Sequence, residues 1–317
     1  MTKTGLVYDE RYLLHQPGLG HPERPERLEA IGERLVIDGL DERLVRVEPA
    51  DVRMEWVEAV HDPAYIATAR QDVESGRACL STGDTNVCRD SYDVALVAVG
   101  GVVAATEAVL AGELANAFCA VRPPGHHATP TAGMGFCLFN NAAIAARYAL
   151  AGGAARRVLI ADWDYHHGNG TQDAFYGDPN VLYFSTHQAW AYPMPLTGQG
   201  TAEQTGGPGA EGTNINVPLP PGSGDEEFLA AFHDRLLPAG EAFGADLAII
   251  SAGFDSRVGD PLGTFGVTDE CFAELTRLVM SLVGGRIVSV LEGGYSLDGL
   301  ASAVSAHVAA LMDHTPG

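Results

Sequence analysis

Short apolar runs near residues 4–8, 116–121, 157–161, 181–185, 246–251 and 286–290 alternate with helix-like stretches. Those stretches lie near 24–37, 91–111, 139–152, 225–242, 269–283 and 298–312. This alternation restricts the fold more than any other feature of the chain. Strand, helix and strand in succession read as βαβ units, which give an α/β fold with a parallel sheet covered on both faces. A length of 317 residues alone suits either one large α/β domain or two smaller ones. No repeat, low-complexity tract or linker interrupts the pattern, so residues 1–317 read as a single domain. The Gly/Pro-rich stretch 193–224 is embedded between elements and reads as a long functional loop.

Chemistry-bearing residues cluster where the apolar runs end. After the run 157–161 comes DWDYHHGN at 162–169, with two carboxylates, two imidazoles and an amide. Asp164 and His166 are two apart, so an extended segment points both side chains the same way, which is two-thirds of an open zinc site. The competing reading is a polar loop whose Asp162 and Asp164 cap the next helix. RPPGHHA at 122–128 follows the run 117–121 and sets His126 and His127 on a stiff, closely turned backbone. Adjacent imidazoles suit proton handling near neutral pH. Asp255 stands just past the run 246–250, and Tyr295 sits on a glycine-rich turn after 286–290. Alone, each would be a helix cap or a packing residue. Together they occupy the carboxyl ends of strands, where open α/β sheets bind ligands.

These segments carry a resemblance to the zinc-dependent histone deacetylase superfamily, in its class II-like branch. The matching segments are HPERPERL (21–28), RPPGHHA (122–128), GMGFCLFNNAA (133–143), DWDYHHGNGTQDAF (162–175), SAGFDSRVGDPLG (251–263) and LEGGY (291–295), in family order. The resemblance implies an arginase/deacetylase-like three-layer α/β/α fold with a central, mainly parallel sheet. It implies one catalytic zinc ion on Asp164, His166 and Asp255. It makes His127 the general base and acid, and puts His126 against Asp162. Asn169 becomes the partner of His127, where class I members carry Asp, and Tyr295 the donor to the oxyanion. Phe136, beside Gly135, and Tyr192 match the walls of a channel for an aliphatic lysine stem, although the family usually carries Phe at the second wall. Leu262 matches the channel mouth, where the polyamine-selective branch carries Glu, and Asp84 a rim acid that holds a peptide backbone. A structural potassium ion is also implied, through Asp162, Asp164, His166 and Ser185.

The implied activity is deacetylation of acetyl-lysine in proteins or peptides, with acetylated polyamines or other small amides as the alternative. An arginase-like dimanganese site would need carboxylates two residues beyond His166 and Asp255, where the chain has Gly168 and Arg257. A silent acyl-lysine binding module would have lost Tyr295, His127 or a zinc ligand, and all are present.

Composition bounds the partners. A net charge of −22 repels nucleic acid and attracts cationic peptides or polyamines. High-salt adaptation, or a genome that writes Arg for Lys, accounts for that charge equally well, since Lys3 is the only lysine. Met1–Gln16 is interspersed with charge and no apolar run is long enough for a bilayer, so the expectation is a soluble cytoplasmic protein off the membrane. The five cysteines form no CxxC pair, which suits a reducing compartment. Cys137, in the site motif, reads as a buried filler before it reads as a redox-sensitive thiol. Oligomeric state does not follow from the sequence.

Overall fold

The computed structural model describes residues 3–313. Among the described residues eight strands form one sheet: β1 (Thr4–Val7), β2 (Val45–Arg46), β3 (Asn116–Cys119), β4 (Val158–Asp162), β5 (Val181–Gln188), β6 (Asn214–Leu219), β7 (Leu247–Ala252) and β8 (Ile287–Leu291). Their order is β2-β1-β3-β8-β7-β4-β5-β6, and each neighbouring pair is parallel. Strands β3, β4, β7 and β8 are buried along their whole length, as expected of a parallel sheet covered on both faces.

The helices are α1 (Glu26–Ile37), α2 (Met54–Glu58), α3 (Pro63–Glu74), α4 (Ser91–Leu110), α5 (Asn141–Ala151), α6 (Asn169–Phe175), α7 (Met194–Thr197), α8 (Asp225–Ala231), α9 (Leu237–Phe243), α10 (Asp269–Val283) and α11 (Leu297–Met312). Helices α1 and α8–α11 pack with one another in one layer, and α2–α6 in the other. Local signals set the ends. Helix α10 starts at Thr268, whose hydroxyl accepts from Cys271 N, carries Asp269 and Glu270 in its first turn, and stops at left-handed Gly284. Between α8 and α9 the chain stays helical through a π-turn at Phe232–Leu236. Pro238 follows it and supplies no N–H to a regular ladder.

Three expectations change. The stretch 193–224 contains α7 and edge strand β6 as well as loop. Pro218 hid that strand, but β6 pairs only with β5, and an edge strand tolerates a proline. The two-residue β2 is too short to leave a pattern. Helix α4, at 20 residues, is long and apolar enough to cross a bilayer, contrary to the reading that no run was. Most of it is buried in the structure, against α5 and β3 among other elements.

The topology places the site. After β3 the chain skips two strand positions to β4, runs outward through β5 and β6, then returns to fill the gap with β7 and β8. The carboxyl ends of these four central strands face the place where chain order reverses, the position at which such sheets bind ligands.

Candidate metal centre and channel

Strand β4 ends at Asp162, and the next residues turn. Asp164 N donates to Asp162 Oδ1 at 3.1 Å, and His166 N donates to Asp164 Oδ1 at 2.8 Å. Asp164 and His166 therefore converge through a turn of carboxylate-to-amide bonds and not as alternate residues of an extended segment. Trp163, between Asp162 and Asp164 in the motif, is fully buried in the core. Asp255 enters from the end of β7, accepting Tyr165 N at 2.9 Å, with its other oxygen 3.0 Å from His166 Nδ1.

One ligand atom each from Asp164, His166 and Asp255 lies within 4.8 Å of the others. Two glycines make the cradle. A Cβ on Gly253 would fall 2.0 Å from Asp164 Oδ2, and one on Gly293 would fall 2.4 Å from Asp255 Oδ2. Gly293 N also donates to Asp164 Oδ2 at 2.9 Å. Burial and the charge of Asp164 push the Asp255 carboxyl up to about 7. Two buried carboxylates converging with one imidazole are the donor set of a divalent cation, and a hydrolytic zinc fits it. A second divalent ion held in the arginase manner does not. A Cβ on Gly168 would meet Asp162 Oδ2 at 2.3 Å and Tyr183 Oη at 2.6 Å, and Arg257 is paired with Asp269 at 2.6 Å.

The tandem histidines approach from the end of β3. Glu292 Oε2 accepts Gly125 N at 2.7 Å and His126 N at 3.1 Å, which fixes the turn that carries them. His126 Nδ1 lies 3.0 Å from Asp162 Oδ2, which also accepts Tyr183 Oη at 3.1 Å. His127 Nδ1 lies 2.9 Å from Asn169 Oδ1. An amide oxygen can only accept, so Nδ1 carries the proton and Nε2 is left as the basic nitrogen. The two rings differ in charge. Burial alone would lower His126, but Asp164, Asp162 and Glu292 outweigh it and raise the pKa to about 10. Burial, with repulsion from His126 and His166, holds His127 well below its ordinary value, so it stays a neutral base.

Above them lies a cavity of about 150 Å³ lined by Asp84, His127, Gly135, Phe136, His166, Tyr192, Leu262 and Tyr295. Phe136 has φ 69° and Gly135 φ 56°, a turn that throws the phenyl ring edge-on to Tyr295 with centroids 5.9 Å apart. A Cβ on Gly135 would strike the His127 ring at 2.3 Å. The Tyr192 ring meets His127 edge-on at 5.3 Å, and its hydroxyl donates to Asp84 Oδ1 at 3.3 Å. Gly135 N donates to the same oxygen at 2.8 Å, so Asp84 joins both walls at the mouth. Burial and the charge of Asp255 hold the Tyr295 hydroxyl protonated, as a donor.

The structure thus brings the sequence candidates together, eight of them lining the opening and His126, Asp162, Asp164, Asn169 and Asp255 buried behind it, with one less integrated member. Ser185 stands in register with Asp162 across β4 and β5, yet its hydroxyl bonds His187 Nδ1 at 2.9 Å. Cys137 is fully buried with its thiol pushed well up by burial, as a packing residue would be.

Sequence reasoning assigned no part to a buried ionic cluster beneath the site. Glu23 binds Arg27 at 3.1 Å and Arg122 at 2.8 Å. Arg27 then donates to the carbonyls of Gly294 and Glu292, each at 2.6 Å, and lies 5.1 Å from the Tyr295 ring centroid. A signal was present: Arg27, Ile31 and Leu35 share the buried stripe of α1, and a cation in a core stripe needs an acceptor. Glu292 and Asp260 were equally overlooked inside quoted motifs.

The histone deacetylase domain family matches residues 21–311. A probable deacetylase of Archaeoglobus fulgidus is 41% identical over 302 residues, 93% of this chain and 82% of the relative. Histone deacetylase 5 of Arabidopsis thaliana is 39% identical over 98% of this chain, and human polyamine deacetylase HDAC10 is 39% identical over the same share. The chain spans about half the length of each of those two, 49% and 48%. The crystal structure of the HDA15 HD domain superposes with a TM-score of 0.94 at 37% identity, covering 100% of this chain and 91% of that one.

Proposed function

The chain belongs to the histone deacetylase domain family, and on that premise we propose that it is a zinc-dependent deacetylase acting on acetylated lysine side chains of proteins or peptides. The observation that carries this is the convergence of Asp164, His166 and Asp255 with His127 and Tyr295 at the floor of one channel. Asp164, His166 and Asp255 would hold the zinc ion, which when bound supplies Lewis acidity toward the amide carbonyl and acidifies water.

The remaining chemistry belongs to side chains. His127 accepts the proton of the attacking water at Nε2 and returns it to the departing amine. Asn169 holds its Nδ1–H and adds no charge, which keeps the ring a base at neutral pH. Asp162 holds His126 through Nδ1 at 3.0 Å and so fixes its ring beside the reacting centre. Tyr295 donates its hydroxyl to that oxyanion. Phe136 and Tyr192 flank the aliphatic stem and exclude water from it.

Leu262 at the mouth offers no charge to a second amine, which supports acyl-lysine over polyamine. The net charge of −22 supports a cationic substrate and argues against direct nucleic-acid binding. The test is turnover of an acetyl-lysine peptide and of N-acetylputrescine by zinc-loaded protein, with Tyr295→Phe as control. The peptide turning over faster, with the control nearly inactive, is the expected result. A faster acetylpolyamine would move the substrate class, and no zinc-dependent turnover of either would overturn the reading.

A further inference from the structure

Tyr295 lies in the segment between β8 and α11, directly after Gly293 and Gly294, and Gly294 has φ 116°. Such a backbone does not fix a side chain by its own preference. A hydroxyl that must meet a developing oxyanion needs placement to about 0.5 Å, so some other group must hold the segment. Arg27 takes the carbonyls on either side of Gly293, and Asp164 takes the Gly293 N–H. The N–H of Tyr295 itself goes to Asp260 Oδ2 at 2.6 Å, and that oxygen also accepts Ser296 N at 3.1 Å. The other oxygen, Oδ1, accepts Leu262 N at 2.9 Å. The residue is buried, 7% exposed.

We propose that Asp260 is a positioning residue for Tyr295, setting the oxyanion hydroxyl against the metal-ligand loop and the channel mouth with one carboxylate. Asp260 lies five residues after Asp255 on the loop that follows β7 and two before Leu262 on the rim. Its two oxygens therefore tie the catalytic segment to both. A carboxylate suits the task because all three partners are N–H donors, and an amide can turn only one accepting atom toward them. The inference rests on the reading of Tyr295 as oxyanion donor. The rival is a purely structural part, since Ser296 is the N-cap of α11 and a negative charge there stabilises the helix.

The experiment compares kcat, KM, bound zinc and Tm for Asp260→Asn, Tyr295→Phe and the double variant, using an acetyl-lysine peptide. Asp260→Asn is expected to lower kcat by about 10- to 100-fold with zinc content unchanged. In the Tyr295→Phe background the same substitution is expected to cost less than about twofold, because the group it positions is gone. Losses that multiply in the double variant would overturn the inference, as would normal kcat with a lowered Tm. Should Asp260→Asn not fold, Asp260→Glu keeps the charge at the helix and displaces the carboxylate by one methylene. A lower kcat at unchanged Tm then supports positioning, and unchanged kcat refutes it. Full activity of Tyr295→Phe would sink the functional reading itself, which is a separate result.

Discussion

The Gly253→Ala substitution is the sharpest test of the metal centre. The added methyl carbon would lie 2.0 Å from Asp164 Oδ2, 2.4 Å from Cγ and 2.5 Å from Cβ, where ordinary contact begins at 3.4 Å. The carboxylate oxygen must therefore withdraw by about 1.4 Å, against a tolerance of about 0.2 Å for a metal–ligand distance. Gly253 is not in the left-handed region, so alanine strains no backbone there and the damage falls on the ligand. Disturbing a group behind a ligand costs about 10- to 100-fold in metal affinity, and displacing the ligand itself should cost at least about 100-fold. Overpacking adds about 1–3 kcal/mol of destabilisation. Zinc affinity measured against a chromophoric chelator, with a thermal melt to confirm folding, reads both effects. Gly177→Ala is the control, because a Cβ there meets nothing within 4 Å. A folded Gly253→Ala protein that binds zinc within about threefold of the parent would refute the assignment of Asp164 as a ligand.

Other outcomes follow from the same geometry. Asn169→Asp should raise the His127 pKa by placing a negative charge on Nδ1, so the acidic limb of the kcat/KM profile should move to higher pH, and an unmoved limb would remove His127 as the titrating base. Tyr192→Phe deletes the donor to Asp84 and should change KM for an acetyl-lysine peptide by about three- to tenfold with kcat nearly constant, and a loss confined to kcat would contradict a wall function. Burial holds His61 at about 4 and His307 at about 3, both below the ordinary histidine value near 6.5. Between those values the unfolded chain takes protons that the fold refuses, so stability is full above about pH 6.5 and falls as pH drops toward about 4. Each such histidine contributes a slope of about 1.4 kcal/mol per pH unit, and urea midpoints for His61→Gln across that range should show one histidine's share removed.

The central sheet was legible because strands buried on both faces must be written as apolar runs, as β4, β7 and β8 are. The site was legible for a related reason. Each motif puts its polar residues directly after such a run, and a parallel sheet brings those ends together. What stayed hidden depends on partners remote in sequence. The NINVPL segment of β6 becomes a strand by pairing with β5, against the advice of its own proline. Glu23 and Arg122 meet across 99 residues, and Asp260 finds Tyr295 across 35. Nothing local distinguishes Asp260 from a solvated carboxylate, and Glu23 is marked only by Arg27 four residues on. Asp164 and His166 were paired for the wrong local reason, an extended backbone, because the spacing of two also fits the turn that the structure uses.

The sheet order has a consequence for a chain made from its amino terminus onward. Strands β3 and β4 are finished early, yet the two places between them are taken by β7 and β8, which are synthesised last. Until β7 has emerged β4 carries a bare inner edge, and until residue 291 has emerged β3 does, and both strands are buried along their length in the finished protein. Such edges invite pairing with any passing strand. Asp255 arrives just after β7 and Tyr295 just after β8, so the strand that closes the sheet also brings the proposed oxyanion donor, the last of the proposed site residues to be made. A product ending between residues 255 and 291 would hold all three proposed metal ligands yet leave the inner edge of β3 unpaired and lack Tyr295, so metal content and activity should separate in such a truncation.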